Sequence, residues 1–393
     1  MNTIPNMQAS NNFILLLIAD FISSFGSAMT GVALTLFIYG GTNNLMASAL
    51  FSVITILPQL IISPFLPKLK INMSFRTIFF LGELFCIVPI AIMLFTQNVI
   101  TMYIVFFLYA AAFFVLECLR AEYLKLITED YDMGKRQSAS RVVNTLVTVV
   151  GPLAGGALLS KFGIRSIYLF DIATYIIAAL IILFIKGDQK PSAVETDHTV
   201  SLPFKSICEN RDIFVGSLII TFVGGAISIL TLEYIYNIIN ADAMHYSVLM
   251  SAMALGGLIG SAMGALPLVQ RNLRKTSHFC ILIMGCMLLS VMLKPGFAAL
   301  LCILIFSGIL SSLIMLYYSV ELFTRSKQDE MRGQYAIFQN IIDISSAISK
   351  PFGAVLNQLI GCVKAISSLG IVFFIIGVAM RIKKHNSNVN ELS

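Results

Sequence analysis

Repeated apolar runs of roughly 20 or more residues constrain this chain more than any other sequence feature. A helix of about 20 apolar residues crosses the ~30 Å hydrocarbon layer of a bilayer and satisfies its own backbone hydrogen bonds there. Only 12% of the residues are charged, about half the share found in soluble domains. We therefore predict an all-α integral membrane protein with twelve transmembrane helices. The runs lie at approximately 11–38, 44–66, 77–95, 100–118, 139–160, 166–186, 212–238, 246–269, 277–294, 297–322, 333–360 and 362–381.

The positions of lysine and arginine predict the orientation. Most of these 26 residues fall in every second loop and in the C-terminal tail, and loops rich in them stay on the cytoplasmic side. With an even number of spans, both termini are then cytoplasmic. In this assignment Arg120 belongs to the loop after the fourth run. The net charge of +6 is a signal of topology, and no nucleic-acid partner is expected.

The sequence lacks the motifs of several enzyme classes. It has no glycine-rich phosphate loop and no H-E-x-x-H sequence, and its seven cysteines show neither metal-ligand nor redox spacing. We expect no enzymatic activity, no metal and no cofactor. Any transport would then be driven by an ion gradient or by the gradient of the substrate itself.

The chain has the pattern of a duplicated unit. The longest polar stretch between spans, 187–211, separates two sets of six runs. Shifting the second set back by about 200 residues aligns "NTLVTVVGP" with "DISSAISKP" and pairs Pro152 with Pro351. We predict an N-terminal six-helix half at 1–186, a central cytoplasmic loop at 187–211, and a C-terminal half with a short tail at 212–393. Such repeats are usual in secondary transporters.

Twelve spans in two sets of six, with a central cytoplasmic loop, resemble the major facilitator superfamily. Within that family, the chain is most similar to the bacterial drug exporters, including the macrolide-efflux-like proteins. The most specific match is "GPLAGG" in the fifth span, where Gly151, Pro152, Gly155 and Gly156 fit the core of the family's antiporter motif. Small residues permit close helix contact and proline bends a helix, so a generic packing seam explains the same residues.

Other segments both support and weaken the resemblance. "LFDIATYIIAAL" and "DEMRGQYAIFQN" resemble the family's sixth helix and the junction before helix 11, which implies structural roles for Asp171 and for Arg332 with Gly333. The loop between helices 2 and 3, "SPFLPKLKINMSFRT", lacks the family's glycine and Asp-Arg pair, which puts the cytoplasmic gate latch in doubt. Helix 4 is expected to carry Tyr109 where the family often places a buried arginine, so proton coupling through that arginine is not expected.

Three charges are predicted within the membrane. Asp20 and Asp343 lie about 15 Å from the cytoplasmic ends of their spans, and Lys350 lies farther toward the outer side. Because a charged group at the bilayer centre is costly, each should face a cavity or a partner. The face of Asp343 and Lys350 should point at the interface between the two halves or at its water-filled cleft, and the alternative to a direct role for these two residues is an internal charge arrangement that neutralises itself. We take Asp20, Asp343, Lys350 and Tyr109 as candidates for substrate or proton coupling. Five other acidic residues are interpreted as structural: Glu83, Glu117, Asp171, Glu233 and Glu321.

These observations predict a secondary-active exporter in the cytoplasmic membrane of a bacterium. It would move a hydrophobic or amphipathic small molecule outward in exchange for protons, as a monomer in the lipid bilayer. Two alternatives stay open: an importer or facilitator of an unknown solute, and a non-transporting immunity or sensor protein built on a transporter scaffold. The "GPLAGG" segment favours export, whereas the missing latch favours the immunity or sensor protein.

Overall fold

The computed structural model describes residues 6–63, 65, 72–96, 98–127, 130–187, 210–264, 266–325 and 331–390. All the regular secondary structure in these ranges is helical, and we number the long helices α1 to α12. A π-helical turn, Ile235–Ile239, extends α7, a 3₁₀ turn, Val291–Leu293, extends α9, and a short helix, Pro267–Arg271, lies between α8 and α9. The bounds are α1 Asn6–Thr42, α2 Leu45–Ile62, α3 Phe75–Met93, α4 Val99–Ile127, α5 Asp130–Phe162, α6 Ile164–Ile182, α7 Arg211–Tyr234, α8 Ala243–Gly264, α9 Leu273–Ser290, α10 Phe297–Arg325, α11 Met331–Ile360 and α12 Cys362–Asn390.

The helices have the length and polarity that a bilayer requires. Within the described ranges, ten helices, α1 to α10, are long and apolar enough to cross a membrane. The apolar parts of α11 and α12, Ile337–Ile360 and Cys362–Val378, pass the same test as a pair joined by a 118° bend. This arrangement agrees with the twelve-helix fold and confirms the predicted all-α membrane class.

The helix contacts divide the chain into two compact units. α1 to α6 belong to the first, except for Ser48–Leu50 of α2, and α7 to α12 belong to the second. In the first unit α1 packs against α5 and α6, and α3 packs against α4 and α6. In the second unit α7 packs against α11, α8 against α10, and α9 against α10 and α12. The central loop lies outside the described residues from 188 to 209, so the predicted boundaries of the two halves stay a prediction.

Several backbone features recur between the two units. Asn43 follows α1 and Asn240 follows the π-helical end of α7, and both have positive φ (48° and 57°). Gly163 separates α5 from α6 and Gly361 separates α11 from α12, with φ of 75° and 80°. Left-handed backbone favours Gly and tolerates Asn, which explains the residue types at these helix ends. Each pair is about 200 residues apart, the offset that the sequence repeat indicated.

Close helix approach explains glycines in both units. A Cβ atom on Gly155 of α5 would lie 2.9 Å from the carbonyl oxygen of Met29 on α1. A Cβ atom on Gly353 of α11 would lie 3.0 Å from the carbonyl oxygen of Ala226 on α7. Small residues therefore set the separation of α1 from α5 and of α7 from α11, as is usual for helices in a membrane.

Candidate functional site

A buried arginine on α4 collects three carboxylates in the first unit. Arg120 is 7% exposed, and its two terminal nitrogens make all the ion pairs of the cluster. Nη1 donates to Asp20 Oδ1 on α1 and, at 2.8 Å, to Glu117 Oε1 on α4. Nη2 donates to Glu83 Oε1 on α3. We call Asp20, Glu83, Glu117 and Arg120 the Arg120 cluster.

The members of the Arg120 cluster differ in their access to the surroundings. The side chain of Glu83 is 0% exposed and that of Asp20 is 17% exposed, whereas that of Glu117 is 43% exposed. Glu83 Oε2 and Arg120 Nε are buried without a hydrogen-bond partner among the described residues. One guanidinium balances one carboxylate, so the cluster carries two acidic groups in excess. Because uncompensated charge is costly in hydrocarbon, the excess of acidic groups makes this cluster suited to bind protons or an organic cation.

The position of Arg120 corrects two sequence-based expectations. α4 continues to Ile127, so Arg120 lies about 10 Å inside the helix and not in the following loop. The expectation that helix 4 lacks a buried arginine is therefore wrong, although the arginine lies three turns beyond Tyr109. Glu83 and Glu117, interpreted from the sequence as structural, are direct partners of Arg120. The spacing of Glu117 and Arg120, three residues apart, was the available signal, because such residues share a helix face.

Tyr109 belongs to a separate group of hydroxyls in the same unit. Its hydroxyl donates to Ser27 Oγ of α1 at 2.7 Å and lies 2.6 Å from the hydroxyl of Tyr175 on α6. Ser27 Oγ is also 2.8 Å from the Tyr175 hydroxyl, which closes a triangle of three hydroxyls. Tyr109 thus lies beside a partly buried hydroxyl on α1 and a buried one on α6, and its predicted coupling role stays a prediction.

The "GPLAGG" segment packs against α1. A Cβ atom on Gly151 would lie 2.7 Å from Cβ of Ala28, and Gly155 approaches the next residue of α1. Pro152 lies inside α5, and Gly156 is buried in the same helix. The segment therefore forms the tight α1 to α5 contact expected of small residues. Its predicted role as an antiporter motif stays a prediction.

Asp343 and Lys350 lie two turns apart on α11, as the sequence predicted, and both are partly buried. Their predicted position at the junction of the halves stays a prediction. Arg332 and Gly333 lie near the start of α11, at positions whose surroundings the structure does not describe. Most of the loop between helices 2 and 3 also lies outside the described residues.

The second unit has an ionic group with a similar layout. Arg325, the last residue of α10, donates from Nη1 to Asp212 of α7 at 2.9 Å and from Nη2 to Glu321 at 2.7 Å. The side chains of Arg325, Asp212 and Glu321 are 36%, 62% and 30% exposed. We call these three residues the Arg325 cluster.

Comparison with known proteins identifies the class. The family model for the Major Facilitator Superfamily matches residues 16–349. The chain belongs to the major facilitator superfamily, a family of transporters. No curated protein sequence matches the chain.

Solved structures of transporters share the fold. A bacterial homologue of the iron transporter ferroportin, in an inward-facing state, matches with a TM-score of 0.75 at 12% identity, covering 94% of this chain and 98% of its own. A POT family transporter in complex with a thioalcohol-conjugated peptide matches with a TM-score of 0.73 at 9% identity, and the match covers 95% of this chain and 96% of that transporter. A variant of the nucleoside transporter NupG matches with a TM-score of 0.73 at 11% identity, and the match covers 94% of this chain and 99% of that transporter. At these identities the similarity shows the transporter fold and leaves the substrate open.

Proposed function

We propose that this protein is a secondary-active transporter that exports a hydrophobic or amphipathic small molecule in exchange for protons. The Arg120 cluster is the observation that carries the proposal. Three carboxyl groups share one guanidinium inside a six-helix unit of a transporter fold. The charge of this group depends on how many protons it holds, and an exchanger needs a buried site whose charge changes in this way.

Asp20 is the member that we assign to substrate exchange. It belongs to α1, its side chain is 17% exposed, and it shares Arg120 Nη1 with Glu117. A proton on Asp20 would weaken its pair with Arg120, and a cationic substrate beside Asp20 would replace that proton. Proton and substrate then compete for one site, which is the requirement for antiport.

Glu83 and Glu117 keep Arg120 compensated during this exchange. Glu83 accepts a hydrogen bond from Arg120 Nη2, whereas Asp20 accepts one from Nη1. The ion pair between Glu83 and Arg120 therefore persists when Asp20 is protonated. The guanidinium therefore never becomes a lone buried charge, which would cost several kcal/mol. We therefore assign Arg120 and Glu83 to a part of the site whose ion pair is kept throughout, and Asp20 to the part that exchanges a proton for substrate.

The outward direction and the cellular location rest on the resemblance to drug exporters and on the charge distribution of the loops. We propose a bacterial cytoplasmic membrane with both termini on the cytoplasmic side. Reporter fusions after Glu195 and after Asn390 test this topology. Activity of a periplasmic reporter at either position would overturn it.

Transport is tested by expression in a bacterial host that lacks its major efflux pumps. We expect lower accumulation of at least one lipophilic cation from a fluorescent panel, and loss of the difference when a protonophore is added. Asp20→Asn should abolish the gradient-driven export with the protein still inserted in the membrane. Asp212→Asn, in the exposed Arg325 cluster, is the matched control and should retain export.

Normal export by Asp20→Asn across the pH range would remove Asp20 from the mechanism. A folded, reconstituted wild type that moves no compound, yet gives its host a phenotype, would favour the immunity or sensor alternative. Accumulation that rises on expression would favour an importer.

A further inference from the structure

The first unit contains a second buried carboxyl group that the Arg120 cluster does not use. Asp171 of α6 is 0% exposed. Its Oδ2 accepts a hydrogen bond of 2.5 Å from the Thr30 hydroxyl of α1, and its Oδ1 lies 3.4 Å from the Thr174 hydroxyl. A Cβ atom on Gly26 would lie 2.4 Å from Asp171 Oδ1, so glycine at this position makes room for the carboxyl group against α1.

Asp171 is bound by hydroxyl groups and not by a cation. In the part of the chain that the structure describes, the ion pairs within 4.0 Å involve other residues. Hydroxyl donors do not neutralise a carboxylate in hydrocarbon, but a proton does. Asp20 differs in this respect, because Arg120 compensates its charge directly.

In the part of the chain that the structure describes, the titratable groups around Asp171 are hydroxyls, a thiol and one acid. α6 itself contributes Tyr168 and Tyr175, which share a helix face with Asp171, α4 contributes Tyr109, and α3 contributes Cys86 and Glu83. Lys161 and Arg165, near the α5 to α6 turn, are exposed. The second acid in this set, Glu83, is already paired with Arg120, so that cation compensates Glu83 and makes no ion pair with Asp171.

Hydroxyl groups continue from Asp171 toward Asp20 along one face of α1. Thr30, Ser27 and Ser24 follow one another at intervals of three residues, and Ser24 donates to Asp20 Oδ1 at 3.3 Å. Ser27 lies in the triangle with Tyr109 and Tyr175 at the middle of this path. Asp20 and Thr30 are separated by about 15 Å along the helix axis. A hydroxyl both donates and accepts, so a row of hydroxyls can pass a proton, unlike an aliphatic helix face.

We propose that Asp171 is a second proton-binding site, connected to Asp20 by the hydroxyls of Ser24, Ser27, Thr30, Tyr109 and Tyr175. A proton leaves the carboxyl group of Asp171 as its O–H bond breaks, and each hydroxyl accepts one proton and releases its own until Asp20 is protonated. Direct hydrogen bonds join Asp171 to Thr30, Ser27 to Tyr109 and Tyr175, and Ser24 to Asp20. The two steps along α1, from Thr30 to Ser27 and from Ser27 to Ser24, each span one turn and would need a bridging water molecule. No electrons are exchanged, and the net result is one proton moved from Asp171 to Asp20.

This inference rests on the proposed proton coupling, but its first test requires no transport. Infrared difference spectra of the purified full-length protein in lipid nanodiscs are recorded between about pH 5 and pH 9, where an unperturbed surface carboxyl stays ionised. A protonated carboxylic acid gives a carbonyl-stretch band that a carboxylate lacks. We expect a pH-dependent band that Asp171→Asn removes and that Asp20→Asn leaves in place.

Thr30→Val is the second variant, because it keeps the carboxyl group but removes its hydrogen-bond donor. It should shift the frequency of the Asp171 band without deleting it. Thr221→Val is the matched control: its hydroxyl bonds to a backbone carbonyl in the second unit, so the band should not move. If Asp171→Asn fails to fold, the shift in Thr30→Val carries the test.

The outcomes separate this inference from the proposed function. A band that is absent, that does not change with pH, or that Thr30→Val leaves unmoved would overturn the proton site at Asp171 even if export is proton-driven. A titrating, Thr30-sensitive band in a protein that exports nothing would support the site and refute the exporter. Where export is measurable, Ser27→Ala should reduce the rate of export driven by the proton gradient. The rate of substrate exchange measured without a proton gradient should not change. Equal losses in both rates would overturn the connection between Asp171 and Asp20.

Discussion

The Arg120 and Arg325 clusters have a common layout and opposite environments. In each, an arginine on the fourth helix of its unit pairs with an aspartate on the first helix and with a glutamate one turn away on its own helix. Arg325 ends α10, whereas Arg120 lies two turns inside α4. The side chain of Arg120 is accordingly 8% exposed and that of Arg325 is 36% exposed.

This difference shows that depth along a helix, more than the set of partners, decides what an ion pair does. At the end of α10, water competes for the charges, and the Arg325 cluster stabilises the helix ends weakly. Two turns inside α4, the side chain of Arg120 is shielded from the surroundings, and the fully buried Glu83 of α3 joins the group. One guanidinium faces three carboxyl groups there, which is why we propose a function for the Arg120 cluster and not for the Arg325 cluster.

The largest expected effect is that of removing the buried cation. Arg120→Met should lower the free energy of unfolding by about 3–5 kcal/mol, because it leaves three buried or partly buried carboxyl groups without their partner. Arg325→Met, the matched control, should cost ~1 kcal/mol or less. Denaturant titration of both purified variants measures the difference. Equal losses would mean that the two clusters are energetically alike and would refute the comparison.

A smaller effect is expected when the charge is kept and its geometry is changed. Arg120→Lys replaces two donor nitrogens, which serve carboxylates from three helices, with one ammonium group. The loss of one charged hydrogen bond should cost about 1.5–3 kcal/mol. Arg325→Lys should be nearly neutral in the same titration. A fully stable Arg120→Lys would show that the cluster needs a positive charge and not the shape of the guanidinium.

Salt should separate the clusters by a still smaller amount. Raising the ionic strength from about 0.15 M to about 1 M shortens the screening length from roughly 8 Å to roughly 3 Å. The cost of Arg325→Met should therefore vanish at high salt, and the cost of Arg120→Met should persist. A salt-sensitive Arg120→Met would place Arg120 in contact with the solvent.

The smallest effect concerns Asp242, an exposed residue that precedes α8. Its carboxylate accepts hydrogen bonds from the side chain and the backbone of His245, and these bonds hold its pKa below the usual value. A lowered pKa stabilises the folded state above the unfolded pKa, near 3.9, and the contribution disappears as the pH falls through the folded pKa.

Thermal unfolding at pH values from about 3 to 7 measures this contribution, which should stay below ~1 kcal/mol. Asp242→Asn is the control, since asparagine also caps a helix but does not titrate. The variant should lack the loss of stability at low pH that comes from Asp242. Identical pH curves for wild type and variant would show that the acid sensitivity comes from other residues.

Much of the fold could be predicted from the sequence, because its determinants are local. Each apolar run has the length of a span, and Pro152 and Pro351 indicated the repeat that the glycines at 163 and 361 then continue. The site was predicted only in part. The sequence predicts that Asp20 is a membrane-embedded acid, but it predicts a loop at Arg120 because the charged residues that follow resemble a loop in composition. The structure shows that α4 continues through them to Ile127.

That this protein crosses a membrane as apolar helices follows from the sequence, since hydrophobicity over about 20 residues and a rise of ~1.5 Å per residue are properties of each segment alone. The partners of Arg120, in contrast, depend on helix packing: Asp20 and Glu83 lie 100 and 37 residues from it in the chain. The rotation and the axial shift of one helix against another follow from side-chain packing, such as the close approach of Gly151 and Gly155 to α1. No local pattern records those two quantities, and they determine which buried charges meet.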